Sequence, residues 1–215
     1  KGNEASVELI INGTDIQYQV KREKATQEGT ICRQGATCPC CKSSVDFPYI
    51  REYGSNQGFG SQLMAIVAEG DRGRLYLSPN DEHVKASYVD KPEEYPSGAL
   101  SGKCRVNVSL YGFDETSDLF SNRQLTALTT FSSLVAEAQK KAENDAIAIG
   151  MPDDKIALAD GGKGARAYGE AVGVYLAFAV DKLTDYNSSI CLWHITREIP
   201  SNTFGRQAIP MSWDH

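Results

Sequence analysis

Hydrophobic and polar positions change rhythm once along the 215 residues, near position 115, from short strand-like runs to long helical repeats. Residues 6–11 and 15–20 are apolar-rich runs that flank Asn12-Gly13-Thr14. An Asn-Gly pair favours the positive φ angles of a tight turn, so a β-hairpin is predicted at the start of the chain. A third short strand is expected over residues 28–33, leading into a cysteine-rich turn, with residues 42–47 leading out again in extended form. Residues 63–68 and 74–77 read as two more strands joined by Glu69-Gly70-Asp71-Arg72-Gly73. Pro79-Asn80-Asp81-Glu82 is expected to open a short helix. The stretch 88–102, rich in Pro, Gly and charge, reads as an exposed loop.

Beyond residue 115 the period lengthens. Ser121 and Gln124 stand three apart, the spacing at which a Ser hydroxyl and a Gln side chain satisfy each other's backbone amides at a helix start. Leu125, Leu128, Phe131, Leu134, Val135 and Ala138 then recur at three- and four-residue steps, predicting a long helix that stops near Gly150-Met151-Pro152. A second helix is expected over 165–185, with Tyr168, Val172, Tyr175, Leu176, Ala179 and Leu183 on one face. Ala167, Gly169, Ala171, Gly173 and Ala177 are interleaved with them, which implies that another element packs close.

Composition adds limits. With 41% hydrophobic and 23% charged residues the chain can bury one large or two small cores. A net charge of −6 argues against a free-standing nucleic-acid binder, whose footprint is a basic face, but leaves room for part of a DNA enzyme whose basic groove lies elsewhere. The longest apolar stretch, residues 171–180, is too short and interrupted to span a bilayer, so no membrane partner and a cytoplasmic setting are expected. In that compartment thiols stay reduced, and a tight C-x-x-C is more often metal-binding or redox-active than disulfide-bonded.

Cys38-Pro39-Cys40-Cys41 is therefore the sharpest chemical signal. Cys38 and Cys41 have the spacing of a zinc knuckle, and no second C-x-x-C follows or precedes. Structural zinc takes four tetrahedral ligands, commonly from two knuckles. Here the nearby thiols are Cys32 and Cys40, so the candidate metal set is Cys38, Cys41, Cys32 and Cys40, an incomplete site. Cys104 and Cys191 read as ordinary buried thiols. A redox role for the pair is disfavoured because residues 42–48 look extended, and the low thiolate pKa of a redox dithiol comes from a helix N-terminus.

Other motifs are weaker. Asp160-Gly161-Gly162-Lys163-Gly164 lacks both the first glycine and the hydroxyl of a Walker loop, and reads as a flexible lead into a helix. Gly58-Phe59-Gly60 lacks the third glycine of a dinucleotide fingerprint. His83, His194 and His215 have no nucleophile or carboxylate partner in sequence, so no catalytic residue is assigned. Lys1 in place of an initiator Met, and an ending within a dense run of unusual residues, are what a piece of a longer protein would show.

That run, residues 202–214, completes a series of segments by which the chain resembles the adenine-specific DNA methyltransferase-like proteins that contain a zinc ribbon and carry a DUF1156 domain at their N-terminus. The series comprises Gly35-Ala36-Thr37-Cys38-Pro39-Cys40-Cys41, residues 60–67, Tyr76-Leu77-Ser78-Pro79, and Asp118-Leu119-Phe120 leading to residues 123–128. It continues with Leu158-Ala159-Asp160-Gly161-Gly162, Asp185-Tyr186-Asn187-Ser188-Ser189 and the closing stretch. The resemblance implies an α+β fold: residues 1–114 a β-rich zinc-ribbon-like region, residues 115–215 a helical region leading toward the catalytic half, the whole inserted within a Rossmann-like methyltransferase. It implies that zinc is held with a first cysteine pair upstream. It also implies that S-adenosylmethionine binds only in the full-length parent, because neither the glycine-rich cofactor loop nor the Asp-Pro-Pro-Tyr motif occurs here.

On this reading the partners are DNA, through the parent enzyme, and the remaining domains of the same protein. Asn202, Arg206 and Gln207 are the candidates for substrate or interdomain contact, since amide and guanidinium groups make directional bonds to phosphates and base edges. A structural role tying a loop to the fold competes equally for them, and Phe204 and Trp213 read as core anchors. Two other classes stay open. One is a zinc-ribbon protein-interaction module of a phage-defence or DNA-modification system. The other is a DNA-positioning module with salt-dependent duplex binding.

Overall fold

β1 (Ser6–Asn12) and β2 (Asp15–Lys21) pair antiparallel from Ser6 opposite Lys21 to Asn12 opposite Asp15. Gly13 takes φ +65° in the two-residue turn, as the Asn-Gly pair requires. In the computed structural model, which describes residues 4–71 and 73–212, this hairpin is one of four small sheets in a mixed α+β fold. Its buried carboxylate, Glu8, pairs with Lys21 and accepts a hydrogen bond from Thr26 Oγ1 at 2.7 Å.

β3 (Ile31–Cys32), β4 (Gly35–Thr37) and β5 (Ser44–Asp46) form a three-stranded antiparallel sheet around the cysteine-rich turn. The strand expected over 28–33 shrinks to two residues. Gly35 has φ +146°, and a Cβ there would sit 2.3 Å from the Val45 carbonyl oxygen, so this crossing admits glycine alone.

The extended exit expected over 42–48 ends early, because α1 (Phe47–Gln57) begins at Phe47. The signal was present in the sequence: Asp46 caps the helix, accepting from the Tyr49 amide at 3.0 Å, and Pro48 occupies the first turn, where its missing N–H costs nothing.

β6 (Ile66–Gly70) and β7 (Gly73–Leu77) form the next hairpin, with β6 starting three residues later than its hydrophobic run. α2 (Asp81–Ser87) follows as expected. Asn80 accepts from the His83 amide at 2.8 Å while His83 Nδ1 accepts from the Asn80 amide at 3.3 Å, so His83 is half of a capping box. Residues 88–101 contain one isolated bridge, Ala99 to Glu115.

α3 (Asn122–Ala148) starts at the anticipated Ser121–Gln124 box, and α4 (Ala165–Asp185) has the expected bounds. β8 (Trp193–His194) and β9 (Ile199–Pro200) form a last short ladder. The apolar core gathers Leu100, Val108, Leu119, Phe120, Leu125, Leu128, Ile190 and Ile209, with Leu183 packed against it. It lies at the base of the α3–α4 hairpin and draws residues from both sides of position 115. Tyr76 adds a second tie across that position, donating to Glu198 at 2.8 Å and meeting Trp193 edge-on at 6.2 Å.

Past the base, the two helices meet through α4's small residues. Ala165, Ala167, Gly169 and Gly173 are buried, the glycines against Gln139 and Glu143 of α3. The apolar periodicity of both helices points elsewhere: Phe131, Leu134, Tyr168, Tyr175 and Leu176 are exposed. Among the described residues no helix is long and apolar enough to cross a membrane.

Candidate functional site

Cys38 follows directly on β4, and Cys41 and Lys42 come just before β5, so the sheet closes the loop between them. The Cys38 amide donates to the Ser43 carbonyl and the Lys42 amide to the Cys38 carbonyl, each at 2.9 Å. Lys42 is left-handed, at φ +62°. Cys41 Sγ lies 3.2 Å from Ser43 Oγ. The Ser43 hydroxyl first, then the Ser43 amide and the Cys38 thiol, bring Cys41 down to about 7. Burial and the neighbouring Cys38 push Cys40 the other way.

Cys32 ends β3 and is exposed, and all six cysteines are free thiols. Among the described residues no three His, Cys, Asp or Glu side chains are grouped to hold a metal ion. Cys38 and Cys41 stand at the two ends of one tight turn between β4 and β5, with Cys40 between them. Cys104 Sγ donates to the Ser101 carbonyl at 2.7 Å, and Cys191 sits 3.2 Å from Thr203 Oγ1.

Asn202 and Gln207 hold different partners. Asn202 Nδ2 donates to Asp185 Oδ2 at 2.5 Å, and the Phe204 amide donates to the other carboxylate oxygen at 2.9 Å. The buried Thr203 hydroxyl contacts the Asp185 carbonyl and Ser188 Oγ at 2.9 and 2.8 Å. Asn202 is therefore engaged in pinning its loop to the end of α4. Gln207 accepts from Lys103 Nζ at 3.4 Å, and Arg206 is exposed. Phe204 is half exposed rather than a core anchor. Trp213 and His215 lie outside the described residues.

The glycine-rich loop before α4 is closed on itself. A Cβ at Gly162 would fall 2.2 Å from the Ile156 carbonyl oxygen, and one at Gly164 2.4 Å from that of Pro152. The Leu158 amide donates to Glu170 at 2.6 Å, and Arg166 bridges Glu170 and the Lys155 carbonyl. Gly162 and Gly164 serve close backbone packing, and a carboxylate of α4 takes one of the loop's amides.

Two surfaces were not read from the sequence. One is α4 over residues 174–179, where six consecutive residues, Val174, Tyr175, Leu176, Ala177, Phe178 and Ala179, are all exposed. Tyr175 and Phe178 reach 77% and 63%. The other is the outer face of α1, where Tyr49 and Tyr53 stack with ring centroids 6.4 Å apart beside a groove lined also by Glu52, Asn56 and Gln57. Comparison with protein-family models, curated proteins and solved structures finds no match to this chain.

Proposed function

We propose that this chain is an internal region of a S-adenosylmethionine-dependent, adenine-specific DNA methyltransferase of the DUF1156-containing, zinc-ribbon kind. In it the chain supplies Cys38 and Cys41 as one half of the ribbon and the α3–α4 hairpin as an assembly surface for the remaining domains. It supports substrate positioning or domain assembly and does not transfer a methyl group alone.

The observation that carries the assembly role is the uniformly apolar, exposed segment 174–179. A helix hydrophobic on all sides belongs inside a larger protein, since exposed apolar area costs about 25 cal/mol per Å² relative to burial. The tight turn at Cys38–Cys41, closed by the Lys42 amide on the Cys38 carbonyl with Lys42 left-handed, supports the ribbon role. The cofactor and catalytic motifs of such enzymes lie outside these 215 residues, so cofactor and DNA reach this region only through the parent.

Co-expression of the chain with the cofactor-binding and catalytic halves of such an enzyme tests the reading. A stable complex is expected that retains zinc and methylates adenine in DNA. Tyr175→Asp with Phe178→Asp should abolish the complex without unfolding the chain. Methyl transfer by the chain alone above blank, or no association with those halves, would sink it.

A further inference from the structure

The two sides of α1 present similar aromatic settings, and one of them is filled. On its inner side the Arg51 guanidinium lies 5.7 Å from the centre of the Phe47 ring and 5.5 Å from that of Tyr111. A cation is attracted to the electron-rich faces of both rings. On its outer side Tyr49 and Tyr53, one helical turn apart, stack at 6.4 Å with 29° between their planes, and are 60% and 48% exposed. Glu52 shares this face and has no hydrogen-bond or ion-pair partner among the described residues. No guanidinium or ammonium group among them lies over either outer ring.

The groove these residues line, together with Asn56 and Gln57, has a volume of about 200 Å³. Its lining holds two tyrosine rings, one carboxylate and two side-chain amides, and no cationic residue. We infer that the Tyr49–Glu52–Tyr53 face of α1 docks an arginine side chain presented by an exposed segment of a partner protein, with the guanidinium against the tyrosine rings and paired to Glu52.

The complementarity is electrostatic. The chain carries a net charge of −6, and Glu52 would repel a phosphate backbone while drawing a guanidinium. Arginine suits the site better than lysine because its flat, weakly hydrated head group stacks on aromatic rings and keeps donors in plane for a carboxylate and for amide carbonyls. The site stands on α1 alone, so its fate is separate from that of the assembly through α3 and α4.

The test follows the tyrosine ring signals of the chain by NMR, with Tyr49 and Tyr53 assigned through their Phe variants. The chain is titrated with an end-blocked Gly-Arg-Gly peptide, with the same peptide carrying neutral citrulline, and with oligodeoxyadenylate. Saturable shifts of both rings with the arginine peptide are expected, with citrulline binding roughly 5-fold weaker. Glu52→Gln, a change at an exposed carboxylate, should weaken arginine binding about 3-fold with the remaining spectrum unchanged. Absence of a response, equal responses to both peptides, or a stronger response to the oligonucleotide would each overturn the inference, the last in favour of a base-stacking platform.

Discussion

Asn202 and Asp185, seventeen positions apart, are joined by a hydrogen bond from the Asn202 amide to a carboxylate oxygen at the end of α4. Burial raises the Asp185 carboxyl, but the Phe204 amide, the Asn202 amide and Lys182 outweigh it and hold the group below the ordinary Asp value. A depressed folded-state pKa stabilises the fold above the unfolded value of about 3.9, and that contribution is lost as pH falls through the folded value. Asn202→Ala should therefore lower stability by about 1 kcal/mol at pH 7. Asp185→Asn should lower it further and flatten the stability curve below about pH 4. Denaturant midpoints between pH 7 and pH 2 check both. An Asn202→Ala chain with unchanged midpoint would refute a structural role for that residue.

The α3–α4 contact makes a prediction about two glycines one helical turn apart. A Cβ at Gly169 would lie 2.8 Å from the Gln139 backbone oxygen, whereas one at Gly173 would meet the end of the Gln139 side chain at 2.7 Å. Alanine gains about 1 kcal/mol over glycine in a helix interior. Gly173→Ala should be neutral or stabilising, since a side-chain end can swing aside. Gly169→Ala should be destabilising by about 1–3 kcal/mol, because the clash is with backbone. Thermal unfolding of the two variants side by side decides the point.

Thiol reactivity should rank the knuckle cysteines. With the thiol held near 7 by Ser43 and exposed to solvent, Cys41 should be alkylated first at neutral pH, its rate rising to half its maximum near pH 7. Cys40, pushed upward by burial, should lag. Ser43→Ala should move the Cys41 profile to higher pH. Peptide mapping after timed iodoacetamide pulses on the metal-free chain reads all three outcomes, and equal rates at Cys40 and Cys41 would refute the ranking.

Helix α3 begins on a reciprocal pair, Gln124 Oε1 accepting from the Ser121 amide at 2.9 Å and Ser121 Oγ from the Gln124 amide at 3.3 Å. Ser121→Ala should cost about 1 kcal/mol. Ser121→Asp should recover most of it, since a carboxylate both accepts the amide and favours the positive end of the helix. Chemical denaturation of the three forms measures it.

Elements built from local chemistry were legible in the residues alone. Asn12-Gly13 sets the first hairpin, Asn80 and Ser121 cap their helices, and the small and apolar repeats delimit α3 and α4, because turn angles, caps and periodicity depend on neighbours within about four positions. α1 was equally local in its Asp46 and Pro48 signals but was hidden by the strand-like run before it. Periodicity could not say which face of α4 is covered: Gly169 and Gly173 face α3 because backbones approach closest where side chains are smallest, and this leaves Tyr175 and Phe178 outside. Nor could spacing reveal that Asn202 is taken by Asp185, or that Tyr49, Glu52 and Tyr53 form an open face opposite a filled one. Such pairings join residues distant in sequence or depend on what the rest of the chain leaves uncovered, and only tertiary packing decides them.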